Sequence, residues 1–166
     1  MIDKETLQKV KVLAFDYDGV LTDNRILLLP DGEMARQANV RDGFVLKQAS
    51  KAGFPIVIIT GGTSEAVKSR FEFLGIDDVF IGVYDKEEVL EQWLADKGFS
   101  HSDVMYMGDD IPDIGVMGKV FLPCCPADAV PEIRKVSRYL SPNKGGDGCV
   151  RDIVEQVMKA QGKWPW

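Results

Sequence analysis

Five short apolar runs, separated by helix-like stretches, constrain this chain more than any other feature. VKVLAF (10–15), PIVIIT (55–60), VFIGV (79–83), VMYMG (104–108) and VFLPCC (120–125) are rich in β-branched or aromatic residues, and each ends near glycine, proline or an acid. They read as strands. Between and after them lie GFVLKQASKAG (43–53), SEAVKSRFEFLG (64–75), KEEVLEQWLADKG (86–98), DIGVMGKV (113–120), AVPEIRKVS (129–137) and GCVRDIVEQVMKAQGK (148–163), which read as helices, the first three stopped by glycine. Strands alternating with helices call for a parallel sheet with helices on both faces, because crossover connections place them there. The expected fold is therefore a three-layer, Rossmann-like α/β structure.

One segment breaks the alternation. RILLLPDGEMARQANV (25–40) has an apolar arm, the turn signal PDG and a more polar second arm, so it reads as a β-hairpin projecting from the core. With this stretch and a helix accounted for, too little chain is left for a separate cap domain. A length of 166 residues is that of one domain, 1–166, with enough chain to bury a substantial core.

A net charge of −6 argues against a nucleic-acid partner bound through a broad basic face. The start MIDKETLQKVKVLAF lacks the apolar run of a signal peptide and no stretch is long enough to span a bilayer, so the expectation is a cytoplasmic protein with no membrane partner. Cys124, Cys125 and Cys149 have neither an even count nor metal-binding spacing and read as buried or partly buried free thiols.

In an open α/β sheet, ligands bind at the carboxyl ends of the strands. Four predicted strand ends carry polar groups of an unusual kind: Asp16 and Asp18 in FDYDG, Thr60 with Gly61 and Gly62, Lys86, and GDDIPD with Asp109, Asp110 and Asp113. Carboxylates converging from two strand ends would repel one another without a cation, and an all-oxygen set suits Mg²⁺. A threonine hydroxyl, glycine backbone N–H groups at a helix start and a lysine suit a phosphoryl group. Asp16, directly after its strand, is the candidate nucleophile; Asp18, two residues on, can exchange protons with the leaving and attacking oxygens. Each motif alone has an ordinary reading: DxDG as a turn or cation-binding loop, TGG as a strand-to-helix turn, Lys86 as a surface residue, GDDIPD as a capped turn. Their common placement at strand ends favours chemistry.

In this order DYDGVLT, IITGG, Lys86 and GDDIPD resemble the four motifs of the haloacid dehalogenase superfamily of phosphohydrolases, across almost the whole chain. The resemblance implies that Asp16 is the nucleophile and Asp18 the acid/base. It implies Mg²⁺ held by Asp16, the Asp18 carbonyl and Asp109, with Asp110 and Asp113 behind them. Thr60, Gly61 and Lys86 would hold the phosphate. NVRDGF and KGGDGCVRDIVEQVMKAQGK further resemble the 3-deoxy-D-manno-octulosonate 8-phosphate (Kdo 8-phosphate) phosphatases of lipopolysaccharide precursor synthesis. That resemblance implies a capless homotetramer whose hairpins form a central barrel and whose neighbouring subunits complete each site. It also implies a phosphorylated sugar acid as substrate, with Arg41, Asp42 and Arg70 as candidate sugar-binding residues.

The ordinary alternative for Arg41 and Asp42 is a helix start, with Asp42 capping. For KGGDG it is a flexible turn, and for the terminal KWPW a packed end or a tail that binds a partner. One departure stands out: many such phosphatases have arginine after TG, where this chain has Gly62. Phosphatases of nine-carbon sugar acids are therefore the nearest rival. A mutase would need a lid to exclude water, and a receiver-like signalling domain would carry its phosphorylated aspartate on a middle strand.

Overall fold

The computed structural model describes residues 2–166. Six strands form one parallel sheet: β1 (Val12–Phe15), β4 (Ile56–Ile59), β5 (Val79–Phe80), β6 (Val104–Met107), β7 (Leu122–Cys125) and β8 (Tyr139–Leu140), in spatial order β5-β4-β1-β6-β7-β8. The two remaining strands, β2 (Leu27–Leu28) and β3 (Met34–Ala35), form an antiparallel pair of their own. The helices are α1 (Lys4–Lys9), α2 (Val40–Lys51), α3 (Glu65–Phe73), α4 (Lys86–Lys97), α5 (Ile114–Met117), α6 (Pro131–Val136) and α7 (Cys149–Ala160).

Alternation along each buried strand sends neighbouring side chains to opposite faces. Leu13 and Phe15 of β1 join one core with Ile56, Ile58, Met105 and Met107, packed against Val45 and Leu46 of α2, Phe71 of α3 and Ile153, Val154 and Val157 of α7. Val12 and Ala14 join the other with Val57, Ile59 and Tyr106, packed against Leu90, Trp93 and Leu94 of α4, Val116 and Met117 of α5 and Ile133 of α6. These are the expected three layers. Cys124, Cys125 and Cys149 are buried and unpaired, and burial pushes their thiols up. Among the described residues no helix is long and apolar enough to cross a membrane.

Some boundaries differ from the sequence pattern for identifiable reasons. α1 and β8 are additional, being too short to show a period. VFIGV forms a strand only at Val79–Phe80, because Gly82, at φ 66°, turns the chain out and donates its N–H to the Gly62 carbonyl. α2 begins at Val40, earlier than expected, because the Asn39 side chain accepts from the N–H groups of Arg41 and Asp42.

The hairpin is present, pairing Leu27 with Ala35 and Leu28 with Met34 around the PDG turn. Its apolar arm is uncovered: Leu27 is 63% and Leu28 75% exposed, where the strands of the main sheet are almost entirely buried. Among the described residues no cap domain stands over the sheet.

Candidate active site

β1 lies between β4 and β6, so the residues following these three strands come together. Asp16, Thr60 and Asp109 are each almost fully buried there. After Asp16 the chain folds tightly back, with the N–H groups of Val20, Leu21 and Thr22 converging on the Tyr17 carbonyl. Gly19 sits in this loop at φ 85°, and a side chain there would collide with the Asp109 carboxylate. KGGDG closes the loop from outside: Gly145 is packed so closely on the Gly19 carbonyl that a Cβ would clash, and Gly146 donates to the Val20 carbonyl at 3.0 Å. The segment is a structural clamp as well as a turn.

Asp16, Asp109 and Asp113 each bring a carboxylate oxygen within 4.8 Å of the others. Lys86, at the start of α4, is 6% exposed and its ammonium lies 2.8 Å from both Asp16 and Asp113. Burial presses the lysine's pKa down, but the two carboxylates outweigh it and the net shift is upward. The carboxylates fare differently. Burial, then the Asp113 charge, pushes Asp16 up to about 7 despite Lys86. Burial, then Asp16, Asp113 and Asp110, pushes Asp109 up to about 8. One positive charge does not offset this concentration of acids.

Hydrogen bonding separates the members of the cluster. Asp113 is saturated, accepting from Lys86 Nζ, from the Tyr106 hydroxyl at 2.7 Å and from the Asp109 N–H at 3.1 Å. Among the described residues Asp109 accepts only from the Asn24 amide, at 3.3 Å on Oδ2, and its Oδ1 is buried with no partner. An orphaned carboxylate oxygen beside a second buried carboxylate is a donor set for a hard divalent cation. Asp16 and Asp109 fit that group; Asp113 holds Lys86 and the Asp109 backbone in place. The Asp110 side chain is exposed and caps its own turn, while its backbone N–H donates to Asp113 Oδ2 at 3.4 Å.

At the opposite side of the site the Thr60 hydroxyl accepts from the Gly62 N–H at 3.1 Å, leaving Gly61 exposed at the strand end. Asp18 is half-buried and forms a two-point ion pair with Arg36, with Nε to Oδ1 at 2.6 Å and Nη2 to Oδ2 at 3.1 Å. Arg36 follows β3 and was not singled out from the sequence, where it is one polar residue in the second hairpin arm. Asn24 and Tyr106 were missed as well. Asn24, at φ 64°, is the one non-glycine residue of positive φ among those described, and such strain can be seen only in the backbone. Tyr106 reads as a core strand residue and is one, with its hydroxyl aimed at Asp113.

The candidate sugar-binding residues are not gathered at this cluster. Asp42 is wholly buried beneath α7, where its carboxylate accepts from the N–H groups of Gly148 at 3.3 Å and Arg151 at 2.8 Å. It caps the last helix of the chain, not its own, and the capping role expected of it falls to Asn39. Arg70 donates to the Asn39 carbonyl at 3.3 Å. Arg41 is exposed and, with Arg25, Asp128 and Lys144, lines a separate cavity of about 690 Å³. In the KWPW tail Trp164 packs on the core, while Trp166 lies against Phe44 with ring centroids 5.5 Å apart and stays 70% exposed.

No family model matches the chain. It is 34% identical over 156 residues to 3-deoxy-D-manno-octulosonate 8-phosphate phosphatase KdsC of Escherichia coli strain K12, covering 94% of this chain and 83% of that protein. KdsC of Yersinia pestis is 33% identical over 154 residues, 93% of this chain and 82% of that protein. Among solved structures, the Moraxella catarrhalis phosphatase of the same name, in complex with magnesium ion, phosphate ion and a Kdo molecule, superposes with a TM-score of 0.93 at 30% identity, over 97% of this chain and 92% of that one. A putative haloacid dehalogenase superfamily (subfamily III A) hydrolase from Legionella pneumophila superposes with a TM-score of 0.93 at 31% identity, over 97% and 88% of the two chains.

Proposed function

Because the chain belongs to the Kdo 8-phosphate phosphatases of the haloacid dehalogenase superfamily, we propose that its strand-end cluster hydrolyses Kdo 8-phosphate to Kdo and phosphate, with Asp16 as nucleophile. The observation that carries the site assignment is the pair of buried carboxylates, Asp16 and Asp109, with the Asp109 Oδ1 unpartnered and Lys86 beside them.

The phosphoryl group enters between Asp16, the Thr60–Gly61 turn and Lys86. Asp16 attacks phosphorus to form an aspartyl-phosphate, splitting one difficult displacement into two. Lys86 offsets charge on the phosphoryl oxygens, and Asp113 with Tyr106 keeps its ammonium there. Asp18, once its carboxylate turns from Arg36 and takes up a proton from solvent, gives that proton to the leaving sugar oxygen and then takes one from the attacking water. Asp16, Asp109 and the Asp18 carbonyl would hold Mg²⁺, which when bound supplies positive charge for the phosphoryl oxygens and favours ionised Asp16.

The molecule works as one domain without a cap and as a homotetramer in the cytoplasm. Supporting the assembly is the uncovered apolar arm of the hairpin, Ile26 to Leu29, with Met34. A monomer by light scattering would remove that part.

Phosphate release from Kdo 8-phosphate and from its nine-carbon analogue, each with and without Mg²⁺, tests the reaction. The expected result is Mg²⁺-dependent turnover with preference for the eight-carbon substrate. Preference for the nine-carbon one would overturn the substrate and leave the reaction class intact.

A further inference from the structure

Beside the catalytic cluster lies a cavity of about 700 Å³, bounded by the hairpin on one side and the turn after β4 on the other. Asp18, Glu33 and Glu65 line it, and among its described lining residues Arg36 is the only cation. The Arg36 side chain is only 10% exposed although it belongs to an otherwise open hairpin, and its Nη1 donates to the Met34 carbonyl at 3.0 Å. Its guanidinium is thus oriented by its own strand and presents its two-pronged edge to a carboxylate, which in this structure is that of Asp18.

Gly62 faces the same place. A Cβ built there would lie 3.4 Å from Asp18 Oδ2, 3.4 Å from Thr60 Oγ1 and 3.5 Å from Arg36 Nη2. A side chain at 62 and the Arg36 guanidinium would therefore reach into one volume, and glycine leaves it to Arg36.

We propose that Arg36 is the specificity-determining residue that binds the carboxylate of the sugar acid, exchanging the Asp18 carboxylate for that of the substrate. The inference rests on the proposed sugar-acid substrate. The phosphate, held at Asp16, Thr60 and Lys86, fixes one end of the molecule, and the cavity that adjoins Asp18 accepts the rest. Three acids repel an incoming carboxylate everywhere in that cavity except at the guanidinium. Since one guanidinium edge grips one carboxylate at two points, arrival of the substrate's frees Asp18 to take up a proton from solvent and approach the leaving oxygen. The substrate's own charge thereby releases the group that protonates it, and a neutral phosphorylated sugar lacks this means of release.

The test compares wild type, Arg36→Met and the double variant Arg36→Met with Gly62→Arg, all with Mg²⁺. Hydrolysis of Kdo 8-phosphate is measured beside that of p-nitrophenyl phosphate, whose leaving group needs no proton and carries no carboxylate. Free Kdo and inorganic phosphate are then used as inhibitors of the p-nitrophenyl phosphate reaction. Arg36→Met is expected to lower kcat/KM for Kdo 8-phosphate by roughly 10- to 100-fold, mostly through KM, and to weaken inhibition by Kdo by a similar factor. Turnover of p-nitrophenyl phosphate should not fall, because loss of the Arg36 pair leaves Asp18 free for the attacking water, and inhibition by phosphate should stay within about threefold.

Restoring a cation at position 62 should recover Kdo inhibition. Equal losses on both substrates with unchanged Kdo inhibition would overturn the proposal, leaving Arg36 as a residue that only positions Asp18. A wild-type protein that hydrolyses p-nitrophenyl phosphate but neither hydrolyses Kdo 8-phosphate nor binds Kdo would refute the sugar-acid reading itself, and the proposal with it.

Discussion

Asp42 and Asp109 are both buried aspartates held far from water, and they differ in what surrounds them. Asp42 accepts from two N–H groups at the start of α7, so its burial is compensated in part by the end of a helix whose donors would otherwise lack partners. Asp109 has one long contact from Asn24, a bare Oδ1 and three acids among the causes of its raised pKa. Burial alone therefore does not mark a carboxylate as functional. An unmet demand for positive charge does, and it distinguishes the strand-end cluster from the rest of the core.

The largest effect that would sharpen this contrast comes from Asp16→Asn. Phosphate release should fall by on the order of 10⁴-fold or more, since no other group can form the covalent intermediate. The metal-free variant should melt at a higher temperature than metal-free wild type, because a buried charge has been removed from a crowded site. Asp109→Asn should follow, with a loss of roughly 10²- to 10³-fold at saturating substrate and the loss of Mg²⁺-induced thermal stabilisation. A variant that still gained stability from Mg²⁺ would break the assignment of the orphaned oxygen to the cation.

Asp42→Ala reverses the pattern. Two helix N–H donors lose their acceptor, so the folded state should lose about 1–3 kcal/mol by denaturant unfolding. Activity per folded molecule should stay near wild type. A large fall in turnover without a fall in stability would return Asp42 to the substrate site.

The same contrast explains which parts of the molecule could be read in advance. DYDG, TGG, Lys86 and GDDIPD were legible because each is local, and a parallel sheet carries every such strand end to one edge. The cap on α2 was misplaced by three residues because Asn39 and Asp42 are both good caps, and Asp42 is claimed by a helix more than a hundred residues away. Arg36 and Asn24 were hidden because their partners, Asp18 and Asp109, are distant in the sequence and their own neighbours show no periodicity. Tyr106 fitted the strand so well that its hydroxyl drew no notice. What could not be read were contacts fixed by tertiary closure.

The smallest predicted effect separates the two regions by pH. In the metal-free protein Asp16 is raised to about 7 and Asp109 to about 8 from an ordinary 3.8, both chiefly by burial. The folded state then holds protons that the unfolded chain has released, so the contribution of these two groups to stability falls as pH rises from about 4 through about 8 and is constant above. Asp42 is raised as well, by burial, and adds to this slope. Mg²⁺ favours ionised Asp16 and Asp109 but does not touch Asp42. The gain in melting temperature on adding Mg²⁺ should therefore be small near about pH 5 and largest near about pH 9, with a residual slope that belongs to Asp42 and is lost in Asp42→Asn. A metal-free protein whose melting temperature stayed level or rose between those values would mean that the two strand-end carboxylates are already compensated, and the distinction from Asp42 would fall.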